Sequence, residues 1–226
     1  MKRFILVFPL LALIFTFSCS NDDLAEFNGH EYVDLGLPSG TLWATCNVGA
    51  KSPEDYGDYF AWGETEGYFS GKTNFNMQNY KWAANNRLIK YCTNSELGSV
   101  DNKITLDPED DVAHVRWGGN WRMPTVSEQR ELLANCTFTW TTMNGVYGCK
   151  VTGTNGNSIF LPAGGYITGE KHQVGKQGKF HSSSLETFST QVGNRYNHFL
   201  RIWDRHCEIF SDGRDAGISV RPVCRK

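Results

Sequence analysis

Residues 117–128 read WGGNWRMPTVSE and join two predicted helices. The first helix is predicted to begin at Asp107, because this side chain can cap a helix and Pro108 suits the first helical position. The acidic residues that follow Pro108 also favour the positive end of the helix dipole. We expect this helix to run to about Trp117 and to end at the two glycines.

The second helix is predicted from about Val126 to Asn135. Thr125 and Glu128 have the spacing of a capping box, in which each side chain accepts a hydrogen bond from the other residue's backbone. Strands are predicted from alternating apolar residues and from turn residues such as Asn144-Gly145. The predicted strands cover residues 31–35, 41–48, 136–142, 146–152, 158–162, 198–203, 206–210 and 217–223.

These elements predict one α+β domain with two short helices, a twisted and mostly antiparallel sheet, and long irregular loops. The loops are residues 49–106 and 163–195, which show little periodicity. The 40% hydrophobic and 13% aromatic content excludes a disordered chain. With 22 basic and 24 acidic residues the formal net charge is −2, which argues against binding nucleic acid, or anionic lipid by charge alone.

Six segments of the chain resemble one protein family. They are residues 32–45 (YVDLGLPSGTLWAT), 47–50 (NVGA), 56–64 (YGDYFAWGE), 117–125 (WGGNWRMPT), 156–163 (GNSIFLPA) and 219–223 (SVRPV). Over about residues 31–224 the chain resembles the Fibrobacter succinogenes major paralogous domain family. The resemblance implies a C-type-lectin-like fold related to the formylglycine-generating-enzyme group, in an exported or surface protein of bacteria. Relatives often carry YWSSS where residues 180–184 read FHSSS, which implies a different ligand preference if that segment forms part of a site.

Residues 1–18 have the pattern of a lipoprotein signal peptide. A basic start, Lys2-Arg3, precedes an apolar run over residues 4–17 that is too short to span a bilayer. The run ends at Thr16-Phe17-Ser18-Cys19, which resembles a bacterial lipobox and makes Cys19 the predicted lipidation site. The alternative is an ordinary secreted protein in which Cys19 is incidental.

The chain is therefore divided into a signal peptide (1–18), a lipidated tether (19–30) and a C-type-lectin-like domain (31–226). Acidic residues directly behind Cys19 resemble the surface-export signal of Bacteroidota lipoproteins, although a solvated linker has the same composition. We expect a protein of the outer membrane, anchored through the lipid on Cys19 and exposed at the cell surface. Its expected partners are the membrane, through that lipid, and a glycan or protein outside the cell, with no nucleic acid.

The chain contains seven cysteines. If Cys19 carries lipid, six remain, and an even number favours disulfides in an exported chain. Spacing alone cannot choose among the possible pairings. Strand alternation points Cys149 and Cys207 toward the core, which makes them the predicted disulfide pair. The alternative is that the cysteines are small buried thiols.

The sequence contains no complete catalytic or metal-binding motif of a known type. The histidines lack the H-E-x-x-H spacing of a zinc protease, and no G-x-S-x-G elbow accompanies His181 and its serines. Helix capping explains the acidic residues 107–111 better than a calcium loop does. The related oxidase group binds copper through paired cysteines, and the surroundings of Cys207 and Cys224 do not match that motif. We expect no enzymatic activity, no cofactor and no metal.

The predicted ligand-binding residues lie within residues 163–203, because loops on a rigid framework carry recognition in lectin-like folds. Their aromatic and polar side chains can stack on a sugar or hydrogen-bond to it: Tyr166, His181, Arg195, Tyr196, His198 and Trp203. The alternative for Tyr196 and Trp203 is a place in the core. The predicted function is a non-catalytic binding or adhesion module for glycan or protein. The alternatives are an enzyme of the formylglycine-generating-enzyme-related group and a purely structural envelope component.

Overall fold

The computed structural model describes residues 25–188 and 193–225, so the predicted signal peptide and Cys19 lie outside the described residues. Within these ranges it has two α-helices, α1 (Val112–Trp117) and α2 (Val126–Asn135), and its strands pair antiparallel. The strands are β1 (Glu26–Phe27), β2 (His30–Asp34), β3 (Leu42–Ala44), β4 (Ala83–Ala84), β5 (Arg87–Leu88), β6 (Thr137–Met143), β7 (Val146–Thr152), β8 (Ser158–Pro162), β9 (Tyr166–Thr168), β10 (Glu170–His172), β11 (Gln177–Leu185), β12 (Tyr196–Trp203), β13 (His206–Gly213) and β14 (Val223–Cys224). The predicted α+β class is confirmed.

The first helix begins later than its predicted cap. Pro108–Asp110 form a 3-10 turn, and Asp107 makes no capping hydrogen bond through its side chain. The N-cap of α1 is Asp111, whose carboxylate accepts two backbone N–H groups of the helix at 3.0 and 3.2 Å. The same carboxylate accepts the backbone N–H of Met123 at 2.8 Å, so Asp111 also anchors the helix start to the chain that follows α1.

The capping box at the start of α2 is confirmed. The hydroxyl of Thr125 accepts the backbone N–H of Glu128 at 3.2 Å, and the Glu128 carboxylate accepts the backbone N–H of Thr125 at 2.9 Å. Glu128 also forms an ion pair with Arg122 at 2.6 Å and accepts the hydroxyl of Thr41 at 3.2 Å. One carboxylate therefore joins the start of α2 to the segment before it and to the residue preceding β3.

The middle sheet, with strand order β6-β7-β8, forms at the predicted place. The turn between β6 and β7 has φ of 49° at Asn144 and 82° at Gly145, the two left-handed conformations of a tight hairpin. The bounds of β7 and β8 match the prediction, and β6 lies one residue later.

The late region differs most from the prediction. Residues 163–195, expected as irregular loop, contain β9, β10 and β11. Strand β11 joins β12 and β13 in a three-stranded antiparallel sheet. Its sequence, QGKFHSSSL, lacks apolar alternation, because several of its buried positions hold polar side chains. Hydrogen bonds within the fold satisfy these polar groups. Hydrophobic periodicity therefore cannot detect this strand.

The early sheet has strand order β1-β2-β3-β14. Strand β1 begins at Glu26, so paired structure starts inside the segment 19–30 that is expected to be a tether. The predicted strands 41–48 and 217–223 are reduced to the short strands β3 and β14, which pair with each other. Backbone hydrogen bonds outside the two strands continue the contact: the N–H of Ala44 donates to the Pro222 carbonyl at 3.0 Å, and that of Val48 donates to the Val220 carbonyl at 2.9 Å.

Arg221 supplies much of the remaining connection. Its side chain is fully buried, and its guanidinium donates to the carbonyl oxygens of Ala44 (3.1 Å), Thr45 (2.7 Å) and Phe160 (2.9 Å) and to Asn47 Oδ1 (2.8 Å). A buried guanidinium is tolerated only when its N–H groups are satisfied. Burial lowers the pKa of Arg221 to about 10.

Two hydrophobic clusters form most of the core. One lies against α1 and includes Trp62, Trp117 and Trp121. The second packs α2 against the middle sheet and against the inner face of the β11-β12-β13 sheet, and it includes Leu132, Val151, Leu161, Phe180 and Leu200. The other face of the β11-β12-β13 sheet carries the candidate site.

Candidate functional site

The candidate site lies on the outer face of the β11-β12-β13 sheet, near the turn that joins β12 to β13. Residues two apart on a strand point to the same face, and antiparallel pairing aligns them with residues on the neighbouring strands. Two cross-strand rows result, Gln177–Trp203–His206 and Lys179–Arg201–Glu208. The fold thus places Trp203 and Arg201 side by side on one surface.

Arg201 is held between two aromatic rings. Its guanidinium carbon lies 4.6 Å from the ring centre of Trp203 and 4.0 Å from that of Phe210. Its Nε also donates to a carboxylate oxygen of Glu208 at 3.1 Å, and this contact lowers the pKa of Glu208. Stacking and the ion pair together fix the guanidinium plane, and with it one face of the Trp203 indole.

Trp203 is half-buried and lines two hollows, each of about 310 Å³. The first hollow is lined by Gln173, Lys176, Gln177, Arg201 and Trp203, which we call the Trp203 surface. The second hollow is lined by Trp140, His206 and three cysteines, among others. The indole also contacts the His206 ring, with ring centres 4.5 Å apart, and the part of it that borders the two hollows offers apolar surface to a ligand.

Lys179 pairs across the strands with Arg201, but its side chain is buried and packs against Tyr166. The ammonium group of Lys179 lies 3.8 Å from the ring centre of Tyr166 and 3.4 Å from the carboxylate of Asp212. Burial lowers the pKa of Lys179, although the neighbouring Asp212 opposes that shift. Lys179 therefore holds Tyr166 and Asp212 within the fold and is not open to a ligand.

His181 lies in the core, where the sequence predicts a ligand-binding residue. Its side chain is fully buried, with Nε2 at 2.9 Å from the Phe60 carbonyl and Nδ1 at 2.9 Å from the side-chain nitrogen of Asn197. A carbonyl only accepts, so Nε2 carries the proton and donates to Phe60, while Asn197 donates to Nδ1. Burial lowers the pKa of His181 to about 4, so the ring is neutral at pH 7.

The serines that follow His181 are also committed to contacts within the fold. The hydroxyl of Ser182 donates to a carbonyl of β12 at 2.7 Å, and that of Ser184 accepts the first backbone N–H of α2 at 3.1 Å. The FHSSS segment therefore joins β11 to β12 and to α2. This arrangement explains why so polar a segment is buried.

The other three predicted binding residues lie away from Trp203. Arg195 precedes β12, and its guanidinium donates to the Asn86 carbonyl at 2.9 Å. Tyr196 is half-buried at the start of β12. His198 is buried, and burial lowers its pKa.

Of the six predicted residues, Trp203 alone lines the first hollow, whereas Tyr166 contacts the buried Lys179. Sequence reasoning missed Arg201, although its position two residues before Trp203 on a predicted strand was a usable signal. It also missed Lys176 and Gln177, although both lie within residues 163–203, the segment predicted to bind a ligand.

A hollow of about 500 Å³ lies where α1 and α2 meet. Its polar side chains already serve the fold. Asp111 caps α1, and burial raises the pKa of this carboxyl. Arg122 is paired with Glu128. Volume alone therefore does not mark this hollow as the binding site.

Three carboxylates, those of Asp107, Glu109 and Asp110, lie close enough together to hold a metal ion. A lysine already fills this cluster: the ammonium group of Lys90 lies 2.7 Å from Asp107 and 2.6 Å from Asp110. Lys81 adds a contact with Asp110 at 3.2 Å. The cluster is therefore explained as an ion-pair network.

The predicted disulfide partners, Cys149 and Cys207, meet in the second hollow, where both are free thiols in this structure. The interaction between the two thiols raises the pKa of Cys149 and lowers that of Cys207. Cys136 lines the same hollow.

Comparison of the chain with protein-family models, with curated proteins and with solved structures finds no match. The family resemblance and the C-type-lectin-like fold therefore stay predictions. In the ranges that the structure describes, no helix is both long and apolar enough to cross a bilayer.

Proposed function

We propose that this chain is a non-catalytic binding module that recognises a glycan through the Trp203 surface. The observation that carries the proposal is the half-buried indole of Trp203, which is clamped by Arg201 and lines two hollows. A half-buried indole that borders two hollows offers apolar surface on which a sugar ring can pack.

The chemistry of the Trp203 surface suits a sugar. A sugar ring presents C–H groups that pack on an aromatic face and hydroxyl groups that need hydrogen-bond partners. Gln173 and Gln177 each offer an amide that both donates and accepts. Among the described residues, neither amide side chain makes a hydrogen bond that the fold requires, so both can serve a ligand.

Binding without catalysis is proposed because the chain's candidate reactive groups already serve the fold. The ring of His181 is neutral and has a partner on each nitrogen. The serines beside it bond to neighbouring elements. Acyl transfer of the serine–histidine type needs a free hydroxyl next to a general base, and neither group is free here.

We further propose that the chain is a lipoprotein of the outer membrane, anchored through Cys19 and displayed at the cell surface, with a C-type-lectin-like fold. The support is the lipobox-like end of the apolar segment and the family resemblance described from the sequence. Mass spectrometry of the protein extracted from cells tests the anchor. A lipid-modified N-terminal Cys19 is expected, and an unmodified Cys19 would overturn this proposal.

Binding of the purified protein to a glycan array, followed by affinity measurement on the best ligands, tests the proposed function. Trp203→Ala is expected to weaken binding at least about tenfold, as the loss of a central aromatic contact does. The matched control is Phe69→Ala, because Phe69 is an aromatic side chain, 67% exposed, that lines neither hollow.

The control variant should bind as the unchanged protein does. Equal binding by Trp203→Ala and the unchanged protein would contradict the proposal. An array without any bound glycan would also contradict it, and would favour a protein ligand or a structural role.

A further inference from the structure

We propose that the Trp203 surface selects anionic glycans, in which a sugar carries a carboxylate or a sulfate. This inference rests on the proposed glycan-binding function and adds the class of ligand. The support is the cationic lining of the first hollow, the well-held backbone at Lys176, and the contrast with the negative net charge of the whole chain.

The lining of the first hollow is cationic. It combines one ammonium group, one guanidinium group, two amides and an indole. Of the residues that the structure describes, none with a carboxylate lines this hollow. The chain as a whole has a formal net charge of −2, so this local excess of positive charge is not a property of the average surface.

Lys176 is the cation available to a ligand. Its side chain is exposed, and it takes part in no ion pair among residues 25–188 and 193–225. Arg201 is different, because its guanidinium already pairs with Glu208 on the neighbouring strand. An incoming anion would therefore contact Lys176 directly and would share Arg201 with Glu208.

The chain that presents Lys176 is held in place. The backbone N–H of Lys176 donates to the Gln173 carbonyl at 3.0 Å, and that of Gly175 donates to the Ala163 carbonyl at 2.8 Å. Gln173 and Gly175 adopt φ of 59° and 76°, which makes the tight turn between β10 and β11. Binding therefore loses little backbone entropy at this position.

The side chains of the Trp203 surface also suit the separate parts of an acidic sugar. The indole of Trp203 packs on the sugar ring, while the carboxylate or sulfate lies beside the ring, toward Lys176. Charge-assisted hydrogen bonds to an ammonium group are stronger than those between neutral groups. A neutral sugar uses the indole and the two amides and gains nothing from Lys176.

Matched oligosaccharides test the proposal with the full, purified protein. One pair is an oligogalacturonate and the same oligomer after reduction of its carboxyl groups, and the second pair is a sulfated galactan oligomer and its desulfated form. We measure dissociation constants by calorimetry at low and at high salt. An anionic member of at least one pair is expected to bind about tenfold tighter than its neutral partner, the size of one charge-assisted hydrogen bond.

Lys176→Gln is expected to remove most of that preference. Lys150→Gln is the matched control, because Lys150 is an exposed lysine on β7 that lines neither hollow. The two pairs separate a preference for carboxylate from one for sulfate.

The possible outcomes distinguish this inference from the function on which it rests. Equal binding of charged and neutral partners, lost in Trp203→Ala, would overturn the anionic preference and leave glycan binding standing. A preference that persists in Lys176→Gln would overturn the assignment to this surface. Failure of all four oligosaccharides, with neutral glycans bound on the array, would also overturn the preference.

Discussion

Cys149 and Cys207 line the same hollow although they belong to two different sheets, since Cys149 lies on β7 and Cys207 on β13. The two strands are far apart in sequence and share the second hydrophobic cluster. A covalent bond between these residues would join the middle sheet to the sheet that carries Trp203.

Oxidation of the purified protein by a small-molecule disulfide such as oxidised glutathione is expected to join Cys149 to Cys207. The chain-entropy model gives roughly 4 kcal/mol of added stability for a loop of this length. Peptide mapping by mass spectrometry identifies the pair, and denaturant unfolding of the oxidised and reduced proteins measures the gain. Cys149→Ser is expected to abolish that gain, and a cross-link between other cysteines would refute the assignment.

Replacement of Glu128 by Gln is expected to change how the free energy of unfolding depends on pH. The ion pair with Arg122 and the capping hydrogen bonds overcome burial and lower the pKa of Glu128 to about 2, from an ordinary value of 4.5. Because the folded pKa is lowered, this stabilisation is present above pH 4.5 and is lost as the pH falls toward 2.

The contribution is about 3 kcal/mol, because each unit of pKa corresponds to about 1.4 kcal/mol. Unfolding curves in denaturant between pH 7 and pH 2 measure it. The unchanged protein should lose this stability below pH 4.5, whereas Glu128→Gln should be less stable at pH 7 and show a flatter profile. Parallel profiles for the two proteins would show that Glu128 is not the group responsible.

His181 is expected to make stability depend on pH over a higher range than Glu128 does. Burial lowers its pKa to about 4 from 6.5. Between these two pH values the imidazole is protonated in the unfolded chain and neutral in the folded chain. Stability from this residue is complete above pH 6.5 and falls as the pH decreases toward 4, by up to about 3 kcal/mol. His181→Gln, which keeps a donor and an acceptor, should flatten the profile in this range. Unchanged steepness in the variant would argue against a buried, neutral imidazole.

Arg221→Met is expected to destabilise the fold by about 3 kcal/mol or more, because four buried acceptors lose their donor. The shift in denaturation midpoint measures the loss. Arg221→Lys should restore only part of it, since one ammonium group cannot reach all four acceptors. Arg205→Met is the control, because the Arg205 side chain is 91% exposed, and we expect a change within about 0.5 kcal/mol. A similar small change for Arg221→Met would refute the role given to this side chain.

Local sequence signals predicted the elements that local chemistry determines. Thr125 and Glu128 mark the start of α2 because the capping box is complete within four residues. Asn144-Gly145 fixes the hairpin between β6 and β7 because few residues adopt two successive left-handed conformations.

Elements that depend on distant partners were missed. The buried polar residues of β11 are satisfied by groups such as the Phe60 carbonyl, which lies far away in the sequence. The cap of α1 shifted to Asp111 because this residue also binds the backbone of Met123. The sequence offered a place in the core as the alternative for Trp203 and not for His181, whereas the structure buries His181 fully and leaves Trp203 half-buried.

The clamp formed by Trp203, Arg201 and Phe210 has a kinetic consequence. These side chains hold one another before any ligand arrives, so the free and the bound surface should have the same shape. Encounter then requires no slow rearrangement, and related ligands should differ in how quickly they leave rather than in how quickly they arrive.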